Sequence, residues 1–195
     1  MRLKRLSSRR LARGAGPVLL EITLIVFSIL LALGVDSCRE RSARQALADT
    51  ALANIRAEIG LNQTTLNRVL PGHRKLHARL SEALTRLERG EDADPAVVFT
   101  PLNLVSAAWE TAATTQALEV VDFQKVQLLA RLYTGQRWIQ RFDDAWMAAT
   151  ANPQNRLPAM RRVYLAALLS LVENYIGIEE ELQRNFAAVL DRIGR

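Results

Sequence analysis

The sequence predicts an all-α protein: an N-terminal transmembrane helix that continues into an extracytoplasmic helical bundle of about four to five helices. Three observations predict it. The run "VLLEITLIVFSILLALGV", residues 18–35, is almost wholly apolar and follows a cluster of arginines. Alanine, leucine and arginine are abundant, whereas the 195 residues include only 9 glycines and 6 prolines, a helical composition. From residue 47 to residue 193 apolar residues recur at three- and four-residue steps, the spacing of one helix face.

As a helix the apolar run spans about 27 Å, close to the hydrocarbon thickness of a bilayer. Pro17 suits a first turn, where its missing N–H is not needed, so the membrane helix is placed at 17–35 with Pro17 and Val35 as its ends. Glu21 then sits near the entry interface, a tolerable depth for a carboxylate. Arg2, Lys4, Arg5, Arg9, Arg10 and Arg13 precede the run with no acid among them. The positive-inside rule therefore keeps the N-terminus cytoplasmic and sends the rest across the membrane. The chain divides into a basic cytoplasmic N-terminus, 1–16, the membrane helix, 17–35, and an extracytoplasmic domain, 36–195. A cleaved signal competes with this reading, but its apolar core is shorter and "ALGVDS" is a poor cleavage site. A lipoprotein signal also competes. Ser37 before Cys38 suits it, and Asp36 does not.

The formal charge of +6 is concentrated in that tail. Of the 26 Lys and Arg, six precede the run, so 20 basic residues face 19 of the 20 acidic ones from Asp36 onward. A nearly neutral domain lacks the clustered basic face that nucleic acid requires. The single cysteine, Cys38, forms no internal disulfide.

After the membrane, Leu47, Ala51, Ile55, Ile59, Leu66 and Val69 mark a helix continuous with the anchor. Pro71 in "LPGH" punctuates it at Leu70. A second helix carries Leu76, Leu80, Leu84 and Leu87 and ends near Gly90. "AVVFTPLNL" is a linker with room for a short helical turn. "LVSAAWETAATTQAL" is a third helix rich in small residues. Asp122 caps a fourth, about 123–149, with Val126, Leu129, Tyr133, Ile139, Phe142 and Trp146 inward. "NPQNRLP" breaks the chain. The last helix, about 157–193, turns Leu157, Met160, Tyr164, Leu168, Leu171, Tyr175, Ile178, Leu182, Val189 and Ile193 to the core. The segment 163–178 is apolar, but Glu173 and Asn174 interrupt it, which favours a buried bundle helix over a second span.

"EITLIVFSILLALGVDSCRE" resembles the anchor of an uncharacterised bacterial family of single-pass membrane proteins, with an acidic residue, an apolar run ending in "ALxxxxW" and then charged helix. Glu21, Ala32, Leu33 and Glu40 fit, while Cys38 stands at the tryptophan and Ser28 where glycine is frequent. "AWETAATTQALEVVDFQKVQLLARLYTGQ" is also similar, through Trp109, Ala117, Leu118, Asp122 and Tyr133, with Gln116 where that pattern favours glycine. The resemblance implies a membrane-anchored helical domain in a bacterial inner membrane, with its C-terminal domain periplasmic, and supplies no activity and no catalytic residue.

No nucleophile elbow, phosphate loop, dinucleotide fingerprint or zinc-protease motif occurs. His73 and His77 have a helical metal-ligand spacing, but zinc needs three or four ligands and arginines crowd them, so both are expected to be solvated. Asp143–Asp144 and Glu179–Glu181 are expected on solvated faces. No catalytic, cofactor or metal residue is assigned, and an enzyme is not expected. The expected partners are the lipid bilayer and a protein partner or a second copy of the chain. The small-residue helix offers the interaction surface, at Trp109, Glu110 and Ala113. The competing function is a sensor or regulatory subunit working with a separate signalling protein.

Overall fold

The computed structural model describes residues 12–151 and 157–193, and side chains from residue 20. Among them all regular structure is helical. Helix α1 covers Ala12–Glu88, α2 Ala107–Thr114, α3 Phe123–Ala151, and α4 Arg161–Ile193, the last preceded by a 3-10 turn at Pro158–Met160. Most of the expected basic tail, 1–16, and residues 152–156 of the expected break lie outside the described residues.

The chain divides into two units, Met1–Leu47 and Ala48–Arg195. In the first, every described side chain from residue 20 is exposed, apolar ones included: Phe27 and Leu30 are each 62 % exposed. An 18-residue window here has a mean hydropathy of 2.0 with 0 % of it buried, long and apolar enough to cross a membrane. Helical backbone satisfies its own polar groups, as a bilayer demands, and Ser28 returns its hydroxyl to the Leu24 carbonyl at 2.8 Å. Pro17 lies inside α1, which already runs at Ala12.

In the second unit α1 does not stop at Pro71. Leu66, Leu70, His73 and Leu76 are all buried around it. Packing on both sides holds the helix through a residue that costs about 3 kcal/mol in a helix interior. The expected division of this segment into two helices is therefore corrected to one. It ends as Gly90 suggested. Gly90 takes φ +78°, its N–H bonds the Leu87 carbonyl at 3.1 Å, and the Glu91 N–H bonds that of Arg86 at 3.0 Å. This left-handed reversal closes the last carbonyls.

Residues 91–106 form no helix, turn or strand. The expected third helix shrinks to Ala107–Thr114, because Gln116 turns left-handed at φ 59° soon after it. Asp122 caps α3 as its residue type predicts, its Oδ1 accepting the N–H groups of Gln124 at 3.0 Å and Lys125 at 3.2 Å. Helices α3 and α4 run antiparallel, with Gly135 against Leu182 and Asp143 bonded to Tyr175. Helices α4 and α1 are also antiparallel: Arg74 reaches Glu180 at 2.7 Å, and Arg162 approaches Glu88 at 3.7 Å.

On α4, Leu168, Tyr175, Leu182, Val189 and Ile193 are buried as expected, but between them the seam takes Leu165, Val172 and Glu179 in place of Tyr164, Leu171 and Ile178, one residue around the helix. Leu165, Leu168, Val172, Tyr175, Glu179, Leu182, Phe186, Val189 and Ile193 are buried, at strictly alternating steps of three and four. Tyr164, Leu171 and Ile178 flank this seam and are half-buried. Leu157 and Met160 are exposed, at 54 % and 43 %. The physical reason is Glu179, which occupies a core position that a polarity pattern assigns to solvent.

Candidate functional site

The chemistry-bearing side chains of the second unit meet inside it, in two clusters. In the first, α1 supplies His73, α4 supplies Tyr175 and Glu179, α3 supplies Asp143, and the 91–106 segment lays Phe99, Thr100 and Leu102 across them. The side chains of His73 and Glu179 are 1 % and 0 % exposed. This corrects the expectation that both are solvated. His73 Nδ1 lies 2.9 and 3.0 Å from the two Glu179 oxygens, and Nε2 lies 2.9 Å from the Thr100 carbonyl. A carbonyl only accepts, so Nε2 carries a proton and donates it. Between Nδ1 and the carboxylate one further proton is required. Held by the imidazole, it makes an ion pair; held by Glu179, a neutral pair. The pair has no net charge in either form, which is how two ionisable groups coexist at this depth.

Burial pushes the Glu179 carboxyl above its ordinary value, and the His73 hydrogen bond and charge oppose that rise. Asp143 is raised by the same cause, with the Tyr175 hydrogen bond opposing it. The Tyr175 hydroxyl donates to Asp143 Oδ1 at 2.9 Å and accepts the Leu102 N–H at 3.2 Å. Burial first, then Asp143, raises its phenol. Rings close the cluster: His73 stacks on Phe99 at 4.7 Å, Phe99 on Trp146 at 4.4 Å, and Tyr175 meets His73 edge-on at 5.0 Å.

The second cluster is centred on Glu58 of α1, 6 % exposed. Its carboxylate accepts the N–H groups of Ala108 at 2.7 Å and Trp109 at 3.4 Å, and the Tyr133 hydroxyl at 2.6 Å. Helix α2 has no side-chain cap of its own; Glu58 supplies one from another helix, with its charge at the positive end of the helix dipole. Burial, then the hydrogen bond to Glu58, raises the Tyr133 phenol. Nearby, the buried Asn62 amide donates to the Val105 carbonyl at 2.7 Å and accepts its N–H at 2.9 Å, fastening the 91–106 segment to α1.

The structure separates the three residues proposed for an interaction surface. Trp109 is half-buried, stacked on Tyr133 at 5.2 Å. Glu110 is exposed and accepts the Ser106 hydroxyl at 2.7 Å. Ala113 is exposed, and Ala112 beside it is the alanine that enters the core. Of the acidic runs, Asp144 and Glu181 face solvent as expected, whereas Asp143 and Glu179 do not.

These clusters are arranged to hold helices. Both nitrogens of His73 are engaged, so His73 and His77 do not converge on an ion. No group of three or more metal-ligating side chains occurs among the described residues. A groove of about 650 Å³ runs between α3 and α4, and a shallow depression lies at Arg74, His77, Glu173, Ile176 and Glu180; neither is lined by His73, Glu179, Tyr175 or Asp143.

Glu58, Asn62, His73 and Glu179 were all missed by pattern reading. Their common signal is register: each falls in step with the apolar residues of its own helix. Comparison with known protein families, with curated proteins and with solved structures finds no match to this chain.

Proposed function

We infer that this protein is a membrane-anchored, extracytoplasmic helical module that acts by binding protein rather than by catalysis. The observation that carries this reading is where its polar chemistry goes. The acids, histidine and tyrosines able to do acid–base work are bonded to one another and to backbone inside the helical unit. A substrate would need an open site with free groups. Outside, the longest run of exposed apolar side chains, Leu20 to Val35, suits a bilayer, and the α3–α4 groove, lined by Leu128, Trp138 and Ile178 among others, suits a partner. The arginine-rich N-terminus and the apolar run support a cytoplasmic N-terminus and a single span of a bacterial inner membrane. The anchor and the Trp109 segment support kinship with the single-pass family that they resemble.

Two measurements test this reading. A periplasmic reporter fused after Arg195 is expected to be active; activity only of a cytoplasmic reporter would reverse the topology. After mild detergent extraction the full chain is expected to be isolated in a stoichiometric protein complex, with itself or another chain. A monomer that carries a bound metabolite would instead establish the sensor reading.

A further inference from the structure

The chain from Ala93 to Val105 crosses the place where α1, α3 and α4 meet. Among the described residues none of its backbone groups bonds another backbone group. Side chains of the helices bond its backbone instead. His73 of α1 donates to the Thr100 carbonyl at 2.9 Å. The Tyr175 hydroxyl of α4 accepts the Leu102 N–H at 3.2 Å. Asn62 of α1 donates to the Val105 carbonyl and accepts its N–H. His73, Tyr175 and Asn62 are all buried. Pro101, between the first two bonds, has no N–H to satisfy.

Its side chains follow a second rule. Exposure alternates residue by residue from Ala93 to Phe99, and again from Leu102 to Ser106, the period of a strand and not of a helix. One edge therefore faces solvent, with Val98 at 63 %, and the other fills pockets. Phe99 stacks on His73 at 4.7 Å and on Trp146 at 4.4 Å, and meets the Tyr175 ring edge-on at 5.1 Å. Leu102 is buried in the core beside it. Proteins take up peptides by this division of labour. Backbone bonds, which any sequence can make, give affinity, and pockets for alternate side chains choose among sequences.

These attachments can be undone without unwinding a helix. Gly90, left-handed at φ +78°, ends α1 on one side, and Glu58 fixes the start of α2 on the other. A loop fastened only by side chains belongs to the low-stability end of a fold, from which binding elements are drawn. Its release leaves His73 Nε2, the Tyr175 hydroxyl and the Asn62 amide without partners, a cost that another peptide seated in the same way removes. We propose that the seat of this segment is a peptide-binding groove, occupied in the resting chain by its own Val97–Val105. The partner is a protein segment of the same chemistry: non-helical, with an aromatic residue and, three positions later, an aliphatic one, as Phe99 and Leu102 stand. The inference rests on the protein-binding reading above and names the kind of partner. The resident segment, being tethered, competes at a high effective concentration, so the groove is autoinhibited.

Two experiments on the full chain in mild detergent test this. The first is hydrogen exchange of the native chain. The Leu102 and Val105 amides are expected to exchange together, about tenfold or more faster than the buried stretch of α4 around Tyr175. Exchange of both at the α4 rate means that the segment leaves only when the whole unit unfolds, and overturns the proposal. The second uses a dye-labelled peptide, AVVFTPLNLVS, residues 96–106 of this chain. Phe99→Ser with Leu102→Ser in the protein weakens the resident segment. By fluorescence anisotropy that variant is expected to bind the peptide about tenfold or more tightly than the native chain does, and the peptide is expected to raise its melting temperature. A peptide carrying the same two changes is expected not to bind. A folded variant that binds no peptide overturns the proposal, as does equal binding of the altered peptide. If the variant does not fold, the exchange of the native chain decides. Failure in a chain still isolated as a stoichiometric protein complex would overturn the groove and leave the protein-binding reading standing.

Discussion

Replacing Glu179 tests whether the buried pair with His73 governs the stability of the helical unit. Glu179→Leu removes the only group that hydrogen-bonds His73 Nδ1 among the described residues. The ring then either loses its proton and leaves a buried nitrogen unpaired, or keeps it as an unpaired buried charge. Both side chains are essentially inaccessible, at 1 % and 0 %, so solvent screening does not soften the loss. Breaking such a pair costs about 3–5 kcal/mol, a fifth or more of the stability of a typical domain, about 5–15 kcal/mol. Glu179→Gln is the control. An amide N–H can donate to neutral Nδ1 while Nε2 still serves Thr100, so the loss is expected near 1 kcal/mol.

The pH dependence gives an independent readout with a definite sign. Burial raises the Glu179 carboxyl above its ordinary value; Asp143 adds to the rise, and His73 and Arg74 oppose it. A raised folded-state pKa means the folded chain holds the proton more tightly than the unfolded one. That contribution is complete below the unfolded value, about 4.3, and is lost as pH rises through the raised folded value. The stability of the native chain relative to Glu179→Gln is therefore expected to fall from pH 4.5 upward. Trp109, Trp138 and Trp146 all lie in the helical unit, so urea unfolding followed by tryptophan fluorescence reports on it and not on the anchor. A native chain that gains stability over Glu179→Gln as pH rises would mean that the folded pair binds fewer protons than the same side chains unfolded, and would refute the argument. A Glu179→Leu loss below about 1 kcal/mol would refute the role of the pair itself.

Three further outcomes are expected. Leu168→Ala, at a fully buried position, costs about 2–5 kcal/mol in the same unfolding assay, and Leu171→Ala, on the flank, costs clearly less; equal losses would mean that the α4 seam is misplaced. Glu58→Ala strips an acceptor from three donors and costs about 2–4 kcal/mol, whereas Tyr133→Phe removes one donor and costs less; the order of the two losses is the check. Gln116→Gly relieves a left-handed residue at φ 59° and stabilises the unit by about 1 kcal/mol, so a shift of the urea midpoint downward would contradict the strain.

The helical class, the apolar run, the Gly90 terminus and the Asp122 cap were legible because each depends on local chemistry: side-chain period, absence of a Cβ, a carboxylate two residues ahead of an orphan N–H. What was not legible depends on partners distant in sequence. Pro71 reads locally as a break, and it becomes tolerable only because Leu66, Leu70, His73 and Leu76 are packed by other elements. The cap of α2 likewise arrives from Glu58, half a hundred residues earlier in the chain.

The displacement of the α4 face has a more general cause. Treating Glu179 as solvated moves the inferred face from Leu165, Val172 and Glu179 to Tyr164, Leu171 and Ile178, one residue around the helix. The steps of three and four that run unbroken from Leu165 to Ile193 hold only if the glutamate is counted as a core residue. On α1 the same condition admits His73, between Leu70 and Leu76. A charge that keeps step with an apolar seam asks for a partner of opposite capacity on a facing seam, and this chain contains only 2 histidines that could share a proton with it. Periodicity taken before polarity would thus have nominated both residues, and their antiparallel helices would then have been aligned by the pair. A buried polar pair admits one alignment where an all-leucine seam admits several, so the same two residues that defeat a polarity pattern are those that fix how α1 and α4 meet.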